Sequence, residues 1–242
     1  MTREELNAKY PCMADTELLQ HANGGGWVEH PERVGASAFV AGLVYGNARV
    51  FGNARVCGNA RVFGDARVFG DALVYGNAQV FGDALVYGNA QVYGDAQVYG
   101  NAQVYGDARV CGNARVFGDA LVCGDAQVSG NAQVCGNARV YGNAQVYGDA
   151  QVYGNAQVYG NAQVSGNAQI SATPWMISLC RHTIVKCDGD VISIGCHVNT
   201  LAGWLDKYEA VGRMEGYTKE EIARYGAALK MIEQLTAVPV AA

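Results

Sequence analysis

The residues best equipped for chemistry lie in two places. Near the C-terminal end, Cys180, His182, Cys187, Cys196 and His197 fall within 18 residues. Thiols and imidazoles are the ligands zinc prefers, and a thiol beside an imidazole is the pairing that activates a cysteine nucleophile. The spacing fits no standard structural zinc site, because Cys-x-His and Cys-His are tighter than the usual two-residue gap, and no metal is assigned. One reading keeps His182, Cys196 and His197 as a tail site; the other treats the cysteines as small core hydrophobes. The second place is a run of arginines, Arg49, Arg55, Arg61 and Arg67, close in sequence to Tyr45 and Phe63. Guanidinium groups beside rings can hold an anionic or nucleotide-like ligand by charge-assisted bonds and stacking. The alternative is a solvated face balanced by Asp65, Asp71 and Asp83.

What must position these arginines is a repeat. From Val44 the chain runs in hexapeptides of Val-aromatic-Gly-Asn/Asp-Ala-Gln/Arg, without insertion, and the 126 residues that precede Ile170 make 21 units. So short and strict a period marks a solenoid, in which a unit contacts only its neighbours and cannot fold alone. Ala-x-Val alternates as a short strand does, with Ala and Val inward and the intervening Arg, Gln or Leu outward. Glycine supplies the positive φ of a sharp corner, and the following Asn or Asp suits turn geometry and can form a ladder along the axis. The residue after Val is aromatic in 15 of 21 units. A core layer already holding three Val and three Ala has no room for three rings, so the rings belong outside at the corners, as lateral self-support, an oligomer interface or a partner surface.

The unit, with Val44 and Ala48, Val50 and Ala54, and so on to Val164 and Ala168, resembles the hexapeptide of left-handed parallel β-helices, the fold of bacterial acyltransferases and gamma-class carbonic anhydrases. The resemblance implies three units per triangular coil, hence about seven coils, a rod of about 34 Å at strand spacing, left-handed winding, and a homotrimer. Periodicity itself leaves handedness and cross-section open. Relatives of this kind use a histidine general base or three zinc-bound histidines, yet residues 44–170 contain no His, Lys or Glu. The catalytic residues therefore do not carry over to any position here. A second likeness lies in His182-Thr183-Ile184-Val185-Lys186-Cys187-Asp188 with Ile194-Gly195-Cys196 and Trp204, which is similar to the C-terminal segment of phage and prophage hexapeptide-repeat proteins. It implies a phage or prophage source.

The flanks divide the chain into an N-terminal cap with an imperfect first coil (1–43), the repeat (44–170) and a C-terminal cap (171–242). Glu4 to Lys9 and Thr16 to His21 read as helical turns, and Asn23-Gly24-Gly25-Gly26 as a flexible entry. From Trp27 the period is imperfect: Val28, Val34 and Val40 are six apart, then Val44 follows after four. Trp27 and Phe39 read as cap residues. At the other end Pro174 stops strand pairing, 182–187 and 191–194 read as a hairpin about Asp188-Gly189-Asp190, and two helices follow. The first has Leu201, Trp204, Leu205, Tyr208 and Val211 on one face; the second starts at the capping box Thr218-Lys219-Glu220-Glu221 and shows Ile222, Tyr225, Leu229 and Ile232.

Net charge is -5, which argues against generic binding to nucleic acid. No stretch approaches 18 consecutive apolar residues and the N-terminus lacks a signal sequence, so no membrane partner is expected. Cys57 and Cys111 share a column but lie three coils apart, about 14 Å at strand spacing, beyond disulfide reach. Free thiols in the cytoplasm, the host's if phage-encoded, are expected. These readings point to a non-catalytic binding or scaffold protein with no cofactor, which sequesters an anionic ligand or a host protein. The alternative is an acyltransferase using acyl-CoA.

Overall fold

The computed structural model describes residues 4, 5, 8, 18–172 and 174–237. Each repeat unit contributes one two-residue strand, such as Gln79–Val80, Leu85–Val86 and Gln91–Val92. Successive strands fall on successive sheets. Val62 pairs in parallel with Val80 and Val80 with Val98, so three units and eighteen residues complete a turn. The three faces are sheets of ten, eight and seven strands. A ladder bond joins each strand to the coil above, as in Gln79 N to Ala96 O at 2.9 Å and Phe81 N to Val98 O at 3.0 Å. The imperfect first coil completes the stack. Trp27–Val28 pairs with Leu43–Val44, Val34 bridges to Val50, and Phe39–Val40 pairs with Arg55–Val56. With this coil added to the seven of the repeat, the fold is a three-sided parallel β-solenoid of about eight turns.

From Val44 to Ile170 every inward Val and Ala is at most 2 % exposed, and the stack forms one continuous apolar core. The corner shortened between Val40 and Val44 works because Gly42 takes the small inward position, where an added Cβ would lie 2.6 Å from Ala60 O. Even alanine would not fit there.

The corners carry the ladders expected of them. Asn53 Nδ2 donates to Asp71 Oδ1 at 3.0 Å, Asn89 to Asp107 at 2.9 Å and Asn101 to Asp119 at 2.8 Å, each eighteen residues along. Two steps lack an amide, since Asp65 lies beneath Asp83 and Asp107 beneath Asp125 in their columns. Like charges directly opposite weaken a pair. Asp65→Asn replaces this repulsion with the amide-to-carboxylate bond that Asn53 makes, and stability is expected to rise by about 0.5–1 kcal/mol. A thermal unfolding midpoint no higher than that of the parent chain would show that the corner ladder contributes nothing.

Both ends are covered. At the N-terminal end, Glu4, Glu5 and Ala8 are helical, and the remainder of the expected 4–9 turn lies outside the described residues. The helical turn expected at 16–21 is corrected at its C-terminal part: Leu19–Gln20 is a strand, antiparallel to Trp27–Val28. The reason is Asn23-Gly24-Gly25-Gly26, which acts as a tight hairpin turn closed by His21 N to Gly26 O at 2.8 Å. This run is also packed, with Gly26 N donating to Val40 O at 2.7 Å and added Cβ atoms at Gly24 and Gly26 falling 2.5 and 2.6 Å from Val40 O. Trp27 packs with Leu18 and Leu43, and Phe39 lies beneath Arg55, whose Cζ is 5.3 Å from its ring centre.

The C-terminal cap is a four-stranded antiparallel meander, Trp175–Ser178, Thr183–Lys186, Val191–Ile194 and His197–Thr200, followed by helices α1 (Leu201–Met214) and α2 (Lys219–Ala237). The hairpin read from sequence is its middle pair. The capping box forms in both directions: Thr218 N donates to Glu221 Oε2 at 2.8 Å and Glu221 N to Thr218 Oγ1 at 3.2 Å. One side of the sheet closes the prism, with Val185 and Cys187 entering the solenoid core. Ser193 Oγ donates to Gln163 O at 3.0 Å and Asp188 N to Gln169 O at 2.8 Å. The other side packs on the helices through Ile184, Ile192, Trp204, Tyr225, Leu229 and Ile232. Among the described residues no helix is long and apolar enough to cross a membrane.

Candidate functional site

The four arginines do not converge. Arg49 and Arg67 sit opposite each other on one face, Arg55 on the second and Arg61 on the third. Consecutive units are a third of a turn apart, so a cluster in sequence is dispersed in space. Tyr45 and Phe63 do stack, with centroids 4.8 Å apart and planes within 3°, and Arg61 Cζ lies 6.0 Å from the Phe63 centre. What survives on a single face is Arg49 with Arg67, both exposed, beside the stacked rings of Phe51 and Phe69.

The rings themselves form long columns. Tyr45, Phe63, Phe81, Tyr99 and Phe117 stack without a break along one corner, where Cys135 then separates them from Tyr153. Phe51, Phe69, Tyr87 and Tyr105 stack along another, followed by Cys123 and then by Tyr141 on Tyr159. The column cysteines act as polar interruptions. A hydrogen bond with Cys111 and burial push Tyr93 up to about 12, and Cys123 with burial does the same to Tyr105. All seven described cysteines are free thiols. Cys12 lies outside the described residues.

The tail residues behave differently. Cys180 is exposed and accepts from Arg224 Nη1 at 3.6 Å, whereas Cys187 is buried against the solenoid and burial pushes its thiol up to about 11. Such a thiol stays protonated and packs as a small hydrophobe. His182, Cys196 and His197, by contrast, line one open pocket between the meander and the two helices. The turn after Val191–Ile194 and the start of α1 supply one wall; the α1–α2 junction supplies the other. His197 Nε2 is 3.0 Å from Glu215 Oε1, and its ring meets Trp204 edge-on at 6.4 Å. The His182 ring faces Tyr217 at 6.2 Å. Burial, and then Tyr225, push Tyr217 up to about 12. Among the described residues no group of three or more His, Cys, Asp or Glu is placed to hold a metal ion.

Sequence reasoning missed Glu215, Tyr208 and Tyr217 as pocket residues. The signal available was weak: Glu215 falls at the C-terminal end of a helix, where an acidic residue is unfavourable and so calls for a local reason. The arrangement offers one acid, two imidazoles and a thiol around aromatic walls. No thiol–imidazole hydrogen bond is present among the described residues, as Cys196 engages through its carbonyl, accepting from Ser165 Oγ at 3.3 Å.

Comparison with known families matches the YdcK beta solenoid repeat, at residues 44–58, 54–68, 66–80, 78–94, 108–124, 132–148, 144–160, 150–166 and 156–172. No curated protein matches the chain. The matched segments follow the coils and leave the cap outside. The recurrent strand-and-corner unit, the three sheets in eighteen-residue register and this match together make the chain a β-solenoid repeat protein.

Proposed function

We propose that the protein is a non-catalytic scaffold and binding protein that associates with itself as a homotrimer through its ring-bearing corners. The observation that supports this most directly is the pair of ring stacks, five rings from Tyr45 to Phe117 and four from Phe51 to Tyr105, on the surface of a prism whose strand-and-corner rhythm has no inserted loop from Leu43 to Ile170. Phe51 is 41 % exposed, and its column borders a face that bears Leu85 and Leu121 on either side of Gln103, so that rings and leucines together offer apolar surface to a second copy. The four histidines lie at the two ends, His21 and His30 in the first, His182 and His197 in the last. Left-handed winding, implied by the hexapeptide likeness, belongs to the same proposal. So does a phage or prophage source, which would place the protein in a host cytoplasm with a host protein as its partner. Arg49 and Arg67, opposed without a carboxylate partner among the described residues, are the natural contact for an anionic group on that partner.

Sedimentation equilibrium tests the reading. The parent chain is expected at three times its own mass, and Phe51→Ser with Phe69→Ser is expected to yield monomers with an unchanged far-ultraviolet spectrum. A parent chain that stays monomeric up to high concentration would refute the trimer. Calorimetry with acetyl-CoA separates the rival acyltransferase reading: binding with turnover would favour the enzyme.

A further inference from the structure

The pocket in the C-terminal cap has a composition that selects its occupant. Its lining is chiefly aromatic and aliphatic with a few polar groups, the make-up of a small-molecule site. The rings present faces because their polar atoms are already engaged. Trp204 Nε1 donates to Ile192 O at 2.9 Å. The Tyr225 hydroxyl accepts from His182 N at 2.8 Å and donates to His182 O at 3.1 Å. Tyr208 directs its hydroxyl outward to Glu209 Oε1 at 3.4 Å. Two glycines keep this geometry. An added Cβ at Gly212, in the pocket lining, would lie 2.7 Å from Ile222 Cγ1, and one at Gly226 would lie 2.6 Å from the Tyr208 ring.

Charge then decides the sign of the ligand. Arg181 is bound by Glu221 through two bonds, Nε to Oε1 at 2.9 Å and Nη2 to Oε2 at 3.2 Å, and Arg213 by Glu209 at 3.3 Å. These pairs cancel. Among the described residues no lysine or arginine lines the pocket, and the carboxylate that does is Glu215, whose charged-group partner is an imidazole on one oxygen. Its Oε2 has no partner among the described residues. One of the rings already serves as a platform for positive charge, with Arg181 Cζ 4.7 Å from the Tyr217 centre. A negative group at the mouth of an aromatic pocket attracts an organic cation by Coulombic and cation–π interaction, and repels carboxylates and phosphates.

We infer that this pocket binds a small organic ammonium ion, its charged nitrogen at Glu215 and its apolar body against Trp204, Tyr208 and Tyr217. The inference stands apart from the scaffold reading, since subunit association and ligand binding are measured separately. The test is calorimetry on the full chain with three probes of similar shape: benzylammonium chloride, benzyl alcohol and sodium benzoate. Benzylammonium is expected to bind at least about tenfold more tightly than the alcohol, with benzoate weakest, as a charged hydrogen bond contributes 1.5–3 kcal/mol and 1.4 kcal/mol is a factor of ten. Glu215→Gln is expected to remove that preference. Glu209→Gln, outside the pocket, is expected to preserve it. Absence of benzylammonium binding, equal binding of all three probes, or a Glu215→Gln protein that keeps the parent preference would each overturn the assignment, and the probe series on the parent chain decides it even if a variant is unstable.

Discussion

Ala102→Leu is expected to destabilise the protein by about 3 kcal/mol or more, whereas Gln103→Leu, one residue on, is expected to change stability by less than about 0.5 kcal/mol. Ala102 is wholly buried, with Ala84 and Ala120 directly below and above it at the same inward position. A coil that holds three Val and three Ala leaves no space for the added carbons. It can widen only by drawing its strands away from the ladder bonds to the coils on either side, such as Leu85 N to Ala102 O at 2.9 Å. Overpacking in a globular core can relax into loops; here every neighbour is another strand. Gln103 points outward between Leu85 and Leu121, so leucine there completes a column that the sequence already tolerates. Urea unfolding of both variants provides the comparison. Similar losses at the two positions would mean that the inward and outward sides of the strand are wrongly assigned.

This contrast shows what was legible in the sequence. The hexapeptide dictates which atoms face inward, and Val80, Ala84 and Val86 are buried as its alternation requires. It also anticipates the outer placement of the rings and the Asn ladders. It does not dictate how many units close a turn; the pairing of Val80 with Val62 and Val98 supplies that. Once eighteen residues make a turn, neighbours in space are eighteen apart, and grouping Arg49, Arg55, Arg61 and Arg67 at intervals of six had to fail. Reading at eighteen instead isolates Arg49 with Arg67.

The ends follow a different logic, because there tertiary contacts override local pattern. Trp175–Ser178 comes directly after Pro174 and forms a strand because Lys186 to Thr183 offers it a partner. His197–Thr200 has little apolar alternation, yet it pairs with Val191–Ile194 across a two-residue turn. The cap does leave a trace in the repeat: Ser165 replaces a ring at the last corner, where it is 1 % exposed and donates to Cys196 O. A ring at that point would collide with the cap. The pocket beyond it was only partly visible, for His182, Cys196 and His197 are near in sequence while Glu215 and Tyr217 arrive through the folding back of α1 onto the sheet.

Replacing the corner glycine Gly130 by alanine is expected to cost about 3 kcal/mol, and the same change at Gly160 about 1 kcal/mol. The backbone conformation is nearly the same at both, with φ at 68° and 64°, so the penalty of placing an L residue in the left-handed region is common to the pair. The surroundings differ. A Cβ on Gly130 would lie 2.9 Å from Gly148 N and 3.0 Å from Gly148 O, in the backbone of the next coil, whereas a Cβ on Gly160 meets nothing within 4 Å. Gly148 cannot retreat freely, because its carbonyl accepts from Asn131 N at 2.8 Å. The alanine at position 130 must therefore separate two coils in the middle of a stack whose cohesion is between nearest neighbours, while the one at 160 projects into open space beside the last turn. The difference between the two thermal unfolding losses isolates the cost of prising coils apart. Equal losses would mean that the corner glycines serve backbone conformation alone and that coil-to-coil contact places no demand on them.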